Sequence, residues 1–348
     1  MTKKEQADLI WDTLFIKNLP YSEACRGVLT VLEKLGLNVA SRDLNEYRDY
    51  FKKITTDEYI DIVFNVAGVK EVVMTNDPFV DEERAVWLNN YKGDNRFKAA
   101  LRIDPLLNAW DNNYVKLKEW GYSVKQELDE HTLLEIRRFL NEWIDKMDAL
   151  YMAASLPPDF KVPENSARSV IIEKCIIPVS KEKNVPFAMM IGVKKLTNPE
   201  LKLGGDSVGK GDVNTVEYLC RQYPHNKFLV TMLARENQHE LCVAARKFRN
   251  LMVFGCWWFL NNPSLIEEIT RMRFELLGTS VIPQHSDARI LDQLIYKWTH
   301  SRKIIANVLF DKYSDILATG WVIKEEEITR DVENLFGGNF RRFLEREF

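Results

Sequence analysis

At Val69 the spacing of apolar residues changes, and the change divides the chain into two kinds of segment. Before it, in EACRGVLTVLEKLGL and LNEYRDYFKKI, apolar positions recur every three or four residues, which predicts helices from Glu5 to about Asn65. After it, short β-branched or apolar runs each end in a polar cluster and lead into a helical pattern. The first four such runs are KEVVMTNDPF (70–79), FKAALRIDPL (97–106), ALYMAASLPP (149–158) and VPFAMMIGVKK (185–195). KFLVTMLARENQ (227–238), NLMVFGCWWFLNN (250–262) and TSVIPQHSDAR (279–289) complete a set of seven. Between them LLEIRRFLNEWIDKM and SLIEEITRMRFELL carry helical spacing, and a long helical region runs from ILDQLIYKWTH to the C-terminus.

Apolar strands alternating with amphipathic helices indicate an α/β fold, a parallel sheet covered by helices. Seven units are one short of a closed eight-stranded barrel. An open doubly wound sheet is the alternative, but no GxGxxG turn opens any of the helices. GGDSVGKG (204–211) lacks the spacing of a phosphate loop and follows a polar stretch, so it is expected to be a flexible loop. The chain is read as one barrel domain over 1–348. It has a helical part at 1–68, strands with helices at 69–290, and further helices at 291–348.

Composition narrows the function classes. With 348 residues, 46% of them hydrophobic, the chain can bury one large core. A net charge of -3 and a pI near 6.1 give no general attraction to nucleic acid or anionic membrane. No apolar run has the length of a membrane span, and MTKKEQADLIW has no signal-peptide core, so a cytoplasmic location is expected. Cys25, Cys175, Cys220, Cys242 and Cys256 are scattered without a CxxC pair, which favours reduced, buried thiols.

Barrel enzymes carry their chemistry on the C-terminal ends of the strands. Those ends hold Asn76 and Asp77, Arg102 and Asp104, Ser155, Lys194 and Lys195. They also hold Arg235, Glu236, Asn237 and His239, then Trp257 and Trp258, then His285, Asp287 and Arg289. Cations that can bind an anion are mixed with carboxylates suited to acid–base work. Arg102 either pairs with Asp104 to stiffen a loop or clamps a ligand carboxylate. Asp287 and Arg289 alternate along QHSDAR, so an extended backbone would point both to one side. Alternatively, Ser286 and Asp287 cap the helix that follows, and taken alone this is the stronger reading. Trp257 and Trp258 are adjacent, so on a strand one would pack outward and the other would line the barrel mouth. The residues alone reach a barrel enzyme for an anionic small molecule.

MTNDPF, ALRIDPL, LARENQ, GCWWF and HSDAR followed by QLIYKW, in this order at successive strand ends, resemble the uronate isomerases of the amidohydrolase superfamily. The resemblance runs through nearly the whole chain. It implies a (β/α)8 TIM-type barrel and aldose–ketose isomerisation of D-glucuronate to D-fructuronate, and of D-galacturonate to D-tagaturonate. It further implies a divalent metal, zinc, a hexuronate as the small-molecule partner, no organic cofactor, and a homo-oligomer. By resemblance, Asp287 is the acid–base residue and a metal ligand. Arg289 and Arg102 clamp the substrate carboxylate and nearby oxygens, and Trp257 or Trp258 walls the sugar pocket. No role carries over to His285, Lys194 or Glu236.

The superfamily takes two metal ligands from an HxH pair on its first strand, and this sequence has no HxH. The chain is therefore expected to lack the first strand. Either the start is assigned too far downstream, which the intact strand-end set favours, or the protein is shorter than its relatives. A complete chain of this length is expected to be poorly soluble or to oligomerise in compensation, with little isomerase activity. Its alternative function is a metal-free, inactive sugar-acid-binding or assembly protein.

Overall fold

The computed structural model describes residues 1–89 and 93–348, which fall into two compact units. The barrel unit comprises 71–260, 268–285 and 313–348, and the helical unit comprises 1–70, 261–267 and 286–312.

The barrel unit is built on β1 (Val72–Asn76), β2 (Phe97–Arg102), β3 (Met152–Leu156), β4 (Phe187–Ile191), β5 (Val193–Lys194), β6 (Ser207–Val208), β7 (Phe228–Met232) and β8 (Leu251–Val253). Six of them form one parallel sheet in the order β1-β2-β3-β4-β7-β8. A parallel bridge from Phe254 to Ile282 continues the sheet by one more segment. These are the seven runs read from the sequence. Among the described residues no eighth parallel strand joins β1 to the Ile282 segment.

One register row explains the interior: Arg102 lies beside Ala153, Ala153 beside Ala188, Ala188 beside Leu229, and Leu229 beside Met252. Four members of that row pack together with Phe343, with Tyr151, Phe340 and Phe348 around them. Small side chains on β3 and β4 leave room for the phenylalanines of the helix Asn339–Glu345. Each fully buried side chain of this size contributes about 1.5–3 kcal/mol. Lys227 reaches the Leu344 carbonyl and His225 Nδ1 lies 2.9 Å from the Phe348 carbonyl, which seals the N-terminal ends of the strands. Outside the sheet, the helix Glu130–Met147 starts at an Asp129 cap and buries Ile136, Phe139, Leu140, Trp143, Ile144 and Met147, at helical spacing.

The 204–211 segment departs from the flexible loop expected of it. β5 and β6 pair antiparallel, and Gly192 (φ +118°) turns the chain out of β4 into this hairpin. Gly205, Gly209 and Gly211 each sit against backbone or side-chain atoms where a Cβ would collide. The glycines serve close packing rather than phosphate contact or mobility.

In the helical unit, Lys3–Trp11, Glu23–Lys34, Leu44–Phe51 and Thr56–Ala67 form where the apolar spacing predicts them. Thr55 and Glu58 form a capping box, and Gly68 in the left-handed region stops the last of these helices. The N-terminal part of the long helix Asp292–Leu317 belongs to this unit and is firmly seated in it. Tyr59 bonds Asp292, His300 Nδ1 lies 2.5 Å from Glu23 Oε1, and Arg302 reaches the Ala67 and Gly68 carbonyls. Tyr296 covers Gly27, where any Cβ would come within 2.7 Å of its ring. No helix among the described residues is long and apolar enough to cross a membrane.

Candidate active site

Arg102 ends β2 on the inward row and Asp104 follows two residues later. The guanidinium donates from Nε to Asp104 Oδ2 at 3.0 Å and from Nη2 to Asp104 Oδ1 at 2.9 Å, a two-pronged pair. Nη2 also lies 3.4 Å from Ser155 Oγ, while the Ser155 amide donates to Asp104 Oδ1 at 3.2 Å. The pairing read as the bland alternative for Arg102 is therefore present. It uses Nε and Nη2, and it orients the guanidinium plane without consuming all five donors. Burial opposes the Arg102 charge, but the Asp104 bonds and charge, helped by Asp77 and Glu83, hold it above its ordinary value.

Asp77, just past β1, accepts from the Phe79 amide at 2.9 Å, and its own amide donates to Glu83 Oε2 at 2.8 Å. Burial pushes its carboxyl up to about 6, against the pull of the Phe79 amide and Arg102, with Asp104 and Glu83 adding to the rise. Asn76 Oδ1 and Thr231 Oγ1, also toward strand C-terminal ends, are buried without a hydrogen-bond partner among the described residues.

The tryptophan pair does not sit on a strand. β8 stops at Val253, Gly255 turns at φ +67°, and Trp258 adopts φ +43° in a short 3-10 turn, Trp258–Leu260. Strand alternation therefore does not govern which way the two rings face. Trp257 is buried with Val193 and Leu233, and Trp258 packs on that cluster and stacks on Phe259 at 4.7 Å. A bulky residue at positive φ is uncommon and is held only where its surroundings dictate it. The dictating contacts are local: the Cys256 amide donates to Gln284 Oε1 at 2.8 Å, and the Gly255 amide donates to the Ile282 carbonyl at 2.8 Å. His285 lies directly over Gly255, where a Cβ would fall 1.7 Å from its Nδ1. Nearby, fully buried Arg273 donates to the Gln238 amide oxygen at 3.1 Å and to the Pro283 carbonyl at 3.4 Å. Asn237 clamps Gly211 through both its amide donor and its amide acceptor.

Asp287 and Arg289 lie in the helical unit, both exposed. Two features of their segment differ from the sequence reading. Asp287 adopts φ +48°, so the backbone is not uniformly extended and simple alternation does not place the two side chains. The helix starts only at Asp292, so Ser286 and Asp287 are not its cap. Side chains hold the segment instead. Asn261 Nδ2 donates to the Ser286 carbonyl at 3.1 Å, Lys297 Nζ to the Asp287 carbonyl at 2.8 Å, and the Arg289 amide to Gln293 Oε1 at 2.7 Å.

The other strand-end residues stay outside these groupings. Lys194, Lys195, Glu236 and His239 are exposed, and Arg235 pairs with Glu268 at 2.9 Å. Among the described residues no three of His, Cys, Asp and Glu gather so as to hold a metal ion. The residues missed by sequence reasoning are those that act on main chain: Gly255, Asn261, Arg273, Gln293 and Lys297. Of these only Gly255 carried a signal, as a glycine directly after an apolar strand.

No family model matches the chain, and no curated protein matches it. Solved structures do. The chain resembles the crystal structure of a uronate isomerase from Bacillus halodurans with a TM-score of 0.98 and 60% identity, over 100% of this chain and 82% of that one. A uronate isomerase from Thermotoga maritima shares the fold at 14% identity and a TM-score of 0.70, over 86% of this chain and 72% of that one. A glucuronate isomerase from Caulobacter crescentus does so at 13% identity and a TM-score of 0.63, over 82% and 66%. The two distant structures establish the barrel architecture alone, whereas the 60% identity covers the entire chain. This chain belongs to the uronate isomerase family.

Proposed function

We propose that this chain is an aldose–ketose isomerase that interconverts D-glucuronate with D-fructuronate and D-galacturonate with D-tagaturonate. The observation that carries the reading is the 60% identity, over its whole length, to the Bacillus halodurans uronate isomerase. The reaction moves a carbonyl from C1 to C2 with no net change in atoms. A base removes the C2 proton to give an enediol, a proton is returned at C1, and the hydroxyl proton of O2 is exchanged for one on O1.

Asp287 is the proposed acid–base residue. Its exposed carboxylate and side-chain-held backbone suit a group that must meet the substrate in one geometry. Arg289 and Arg102 are the proposed partners of the substrate carboxylate and adjacent oxygens, and Asp104 fixes the plane of the Arg102 fork before substrate arrives. Trp257 and Trp258 are proposed as an apolar wall for the sugar, their rings 6.3 Å apart. A divalent metal, zinc, with Asp287 as a ligand, belongs to the family reading. The described residues do not assemble a donor set for it, so no step of the reaction is assigned to it here. A homo-oligomer working in the cytoplasm is part of the same reading, and the net charge of -3 fits a protein without nucleic-acid partners.

The test is conversion of D-glucuronate and of D-galacturonate by the purified, zinc-supplied protein, followed in D2O so that exchange at C2 is read together with ketose formation. Ketose and C2 exchange are expected. Conversion of neither sugar overturns the proposal, and calorimetric binding of a hexuronate without turnover would favour a sugar-acid-binding protein.

A further inference from the structure

Asp287 occupies the left-handed region at φ +48°, which aspartate visits more readily than most residues other than glycine, and its main chain is held there by side chains. No helix or strand does so, since the segment from Pro283 to Arg289 has neither. Three side chains fix its main chain, and two of them come from one face of the helix Asp292–Leu317. Gln293 and Lys297 are four residues apart, so they project side by side. Gln293 takes the Arg289 amide at 2.7 Å, and Lys297 gives to the Asp287 carbonyl at 2.8 Å. Lys297 is the unusual member. It is half-buried, attracted by the charges of Asp287 and Glu23, and it spends its hydrogen bond on a main-chain carbonyl. A charged donor on a neutral acceptor makes a stronger tether than a neutral pair would.

The helix that carries Lys297 is itself fixed within the same unit, by Tyr59 on Asp292, Glu23 on His300, and Arg302 on the Ala67 carbonyl. The tether thus runs from a seated helix to the carbonyl of the residue that carries the left-handed φ.

We propose that Lys297 is a positioning residue for Asp287, holding its carbonyl so that the carboxylate is presented in a single orientation, while Gln293 does the same for Arg289. This rests on the reading of Asp287 as the acid–base residue. Lys297 holds Asp287 through its backbone, and its charge also reaches the Asp287 carboxylate. Its loss therefore spreads the carboxylate over several orientations and lowers turnover more than substrate binding.

Lys297→Met keeps the apolar stem and removes the donor, and Lys297→Arg restores a donor of similar reach. In the full-length protein with zinc and D-glucuronate, Lys297→Met is expected to lower kcat about 30-fold with KM within twofold, and Lys297→Arg to recover most of the loss. Amide hydrogen exchange at residues 286–289 is expected to rise at least tenfold in Lys297→Met, with exchange elsewhere unchanged. Parent-like exchange at those amides, or parent-like kcat, overturns the proposal. If the parent protein converts neither hexuronate, the isomerase reading fails on its own, and the exchange measurement still decides whether Lys297 holds Asp287.

Discussion

At the end of β2 charged side chains hold one another, whereas around Asp287 side chains hold the main chain. Arg102 and Asp104 meet through two parallel bonds, and the Ser155 amide and hydroxyl close the arrangement. Ser286, Asp287 and Arg289 are fixed instead through a carbonyl, a carbonyl and an amide, each met by a side chain from elsewhere in the helical unit. The first construction couples position to charge, so removing one member leaves the other desolvated. The second rests mainly on geometry, because the tethering groups meet main-chain atoms, although the Lys297 ammonium also feels the Asp287 charge. The two regions should accordingly fail in different ways, the first in stability and the second in kinetic constants.

The largest effect is expected where charge is coupled. Arg102→Met leaves Asp104, whose side chain is only 13% exposed, without its cation. The loss should be about 3 kcal/mol of unfolding free energy, the low end for a broken buried pair because Arg102 itself keeps partial contact with water. Arg102→Met combined with Asp104→Leu should regain much of that loss, since no orphaned carboxylate remains. Urea unfolding of the two variants measures it. A double variant no more stable than Arg102→Met would mean that the pair is not what holds this end of the sheet.

Next is a place where the barrel unit also works through its backbone. Gly255→Ala introduces a Cβ at φ +67° and 1.7 Å from His285 Nδ1, so both the turn and the ring must move. About 2 kcal/mol of destabilisation is expected, from left-handed strain and overpacking together. Because the Gly255 and Cys256 amides tie this turn to Ile282 and Gln284, near-ultraviolet circular dichroism should change through Trp257 and Trp258. An unchanged tryptophan signal at unchanged stability would show that the turn has room to spare.

The asymmetry between the regions also governs what could be read from the sequence. The six strands of the sheet and the Ile282 segment were legible because apolar runs ending in polar clusters mark buried strands in any order of assembly. The Arg102–Asp104 pair was legible as an alternative because its partners lie two residues apart. The tethers were not. A bond from a side chain to a carbonyl needs only a donor at the right place, so Lys297 and Gln293 read as ordinary polar residues of an amphipathic helix. Positive φ at Trp258 was hidden because a bulky residue is not one that such a backbone normally selects, and at Asp287 because an aspartate is common in other conformations as well. The 204–211 segment misled in the other direction. Its glycines suggested mobility, while the packing around Gly205, Gly209 and Gly211 requires them for contact.

Gln293→Leu sharpens the contrast on the kinetic side. It removes the acceptor for the Arg289 amide and leaves the Arg289 charge intact. KM for D-glucuronate is expected to rise about tenfold, roughly 1.4 kcal/mol of lost binding, with kcat within twofold. Steady-state kinetics decide it, and a fall in kcat with constant KM would assign Arg289 to the chemical step rather than to binding.

The smallest expected effect returns to the charged cluster and asks which of its forces prevails at Asp77. Burial pushes this carboxyl up to about 6 from an ordinary value of 3.8, and Asp104 and Glu83 add to the rise, while Phe79 and Arg102 oppose it. Between those two values the folded state keeps a proton that the unfolded chain has released. Stability contributed by Asp77 therefore falls as pH rises through that window and levels off above it. Asp77→Asn removes the titration and still offers an oxygen to the Phe79 amide. The variant should match the parent near pH 4 and exceed it at pH 7.5 by on the order of 1 kcal/mol, a figure reduced for the group's partial contact with solvent. Urea midpoints at the two pH values measure the difference. A variant less stable than the parent at pH 7.5 would mean that attraction to Arg102 outweighs the burial of Asp77, and that the cluster at the strand ends is bound by three charges rather than by the Arg102–Asp104 pair alone.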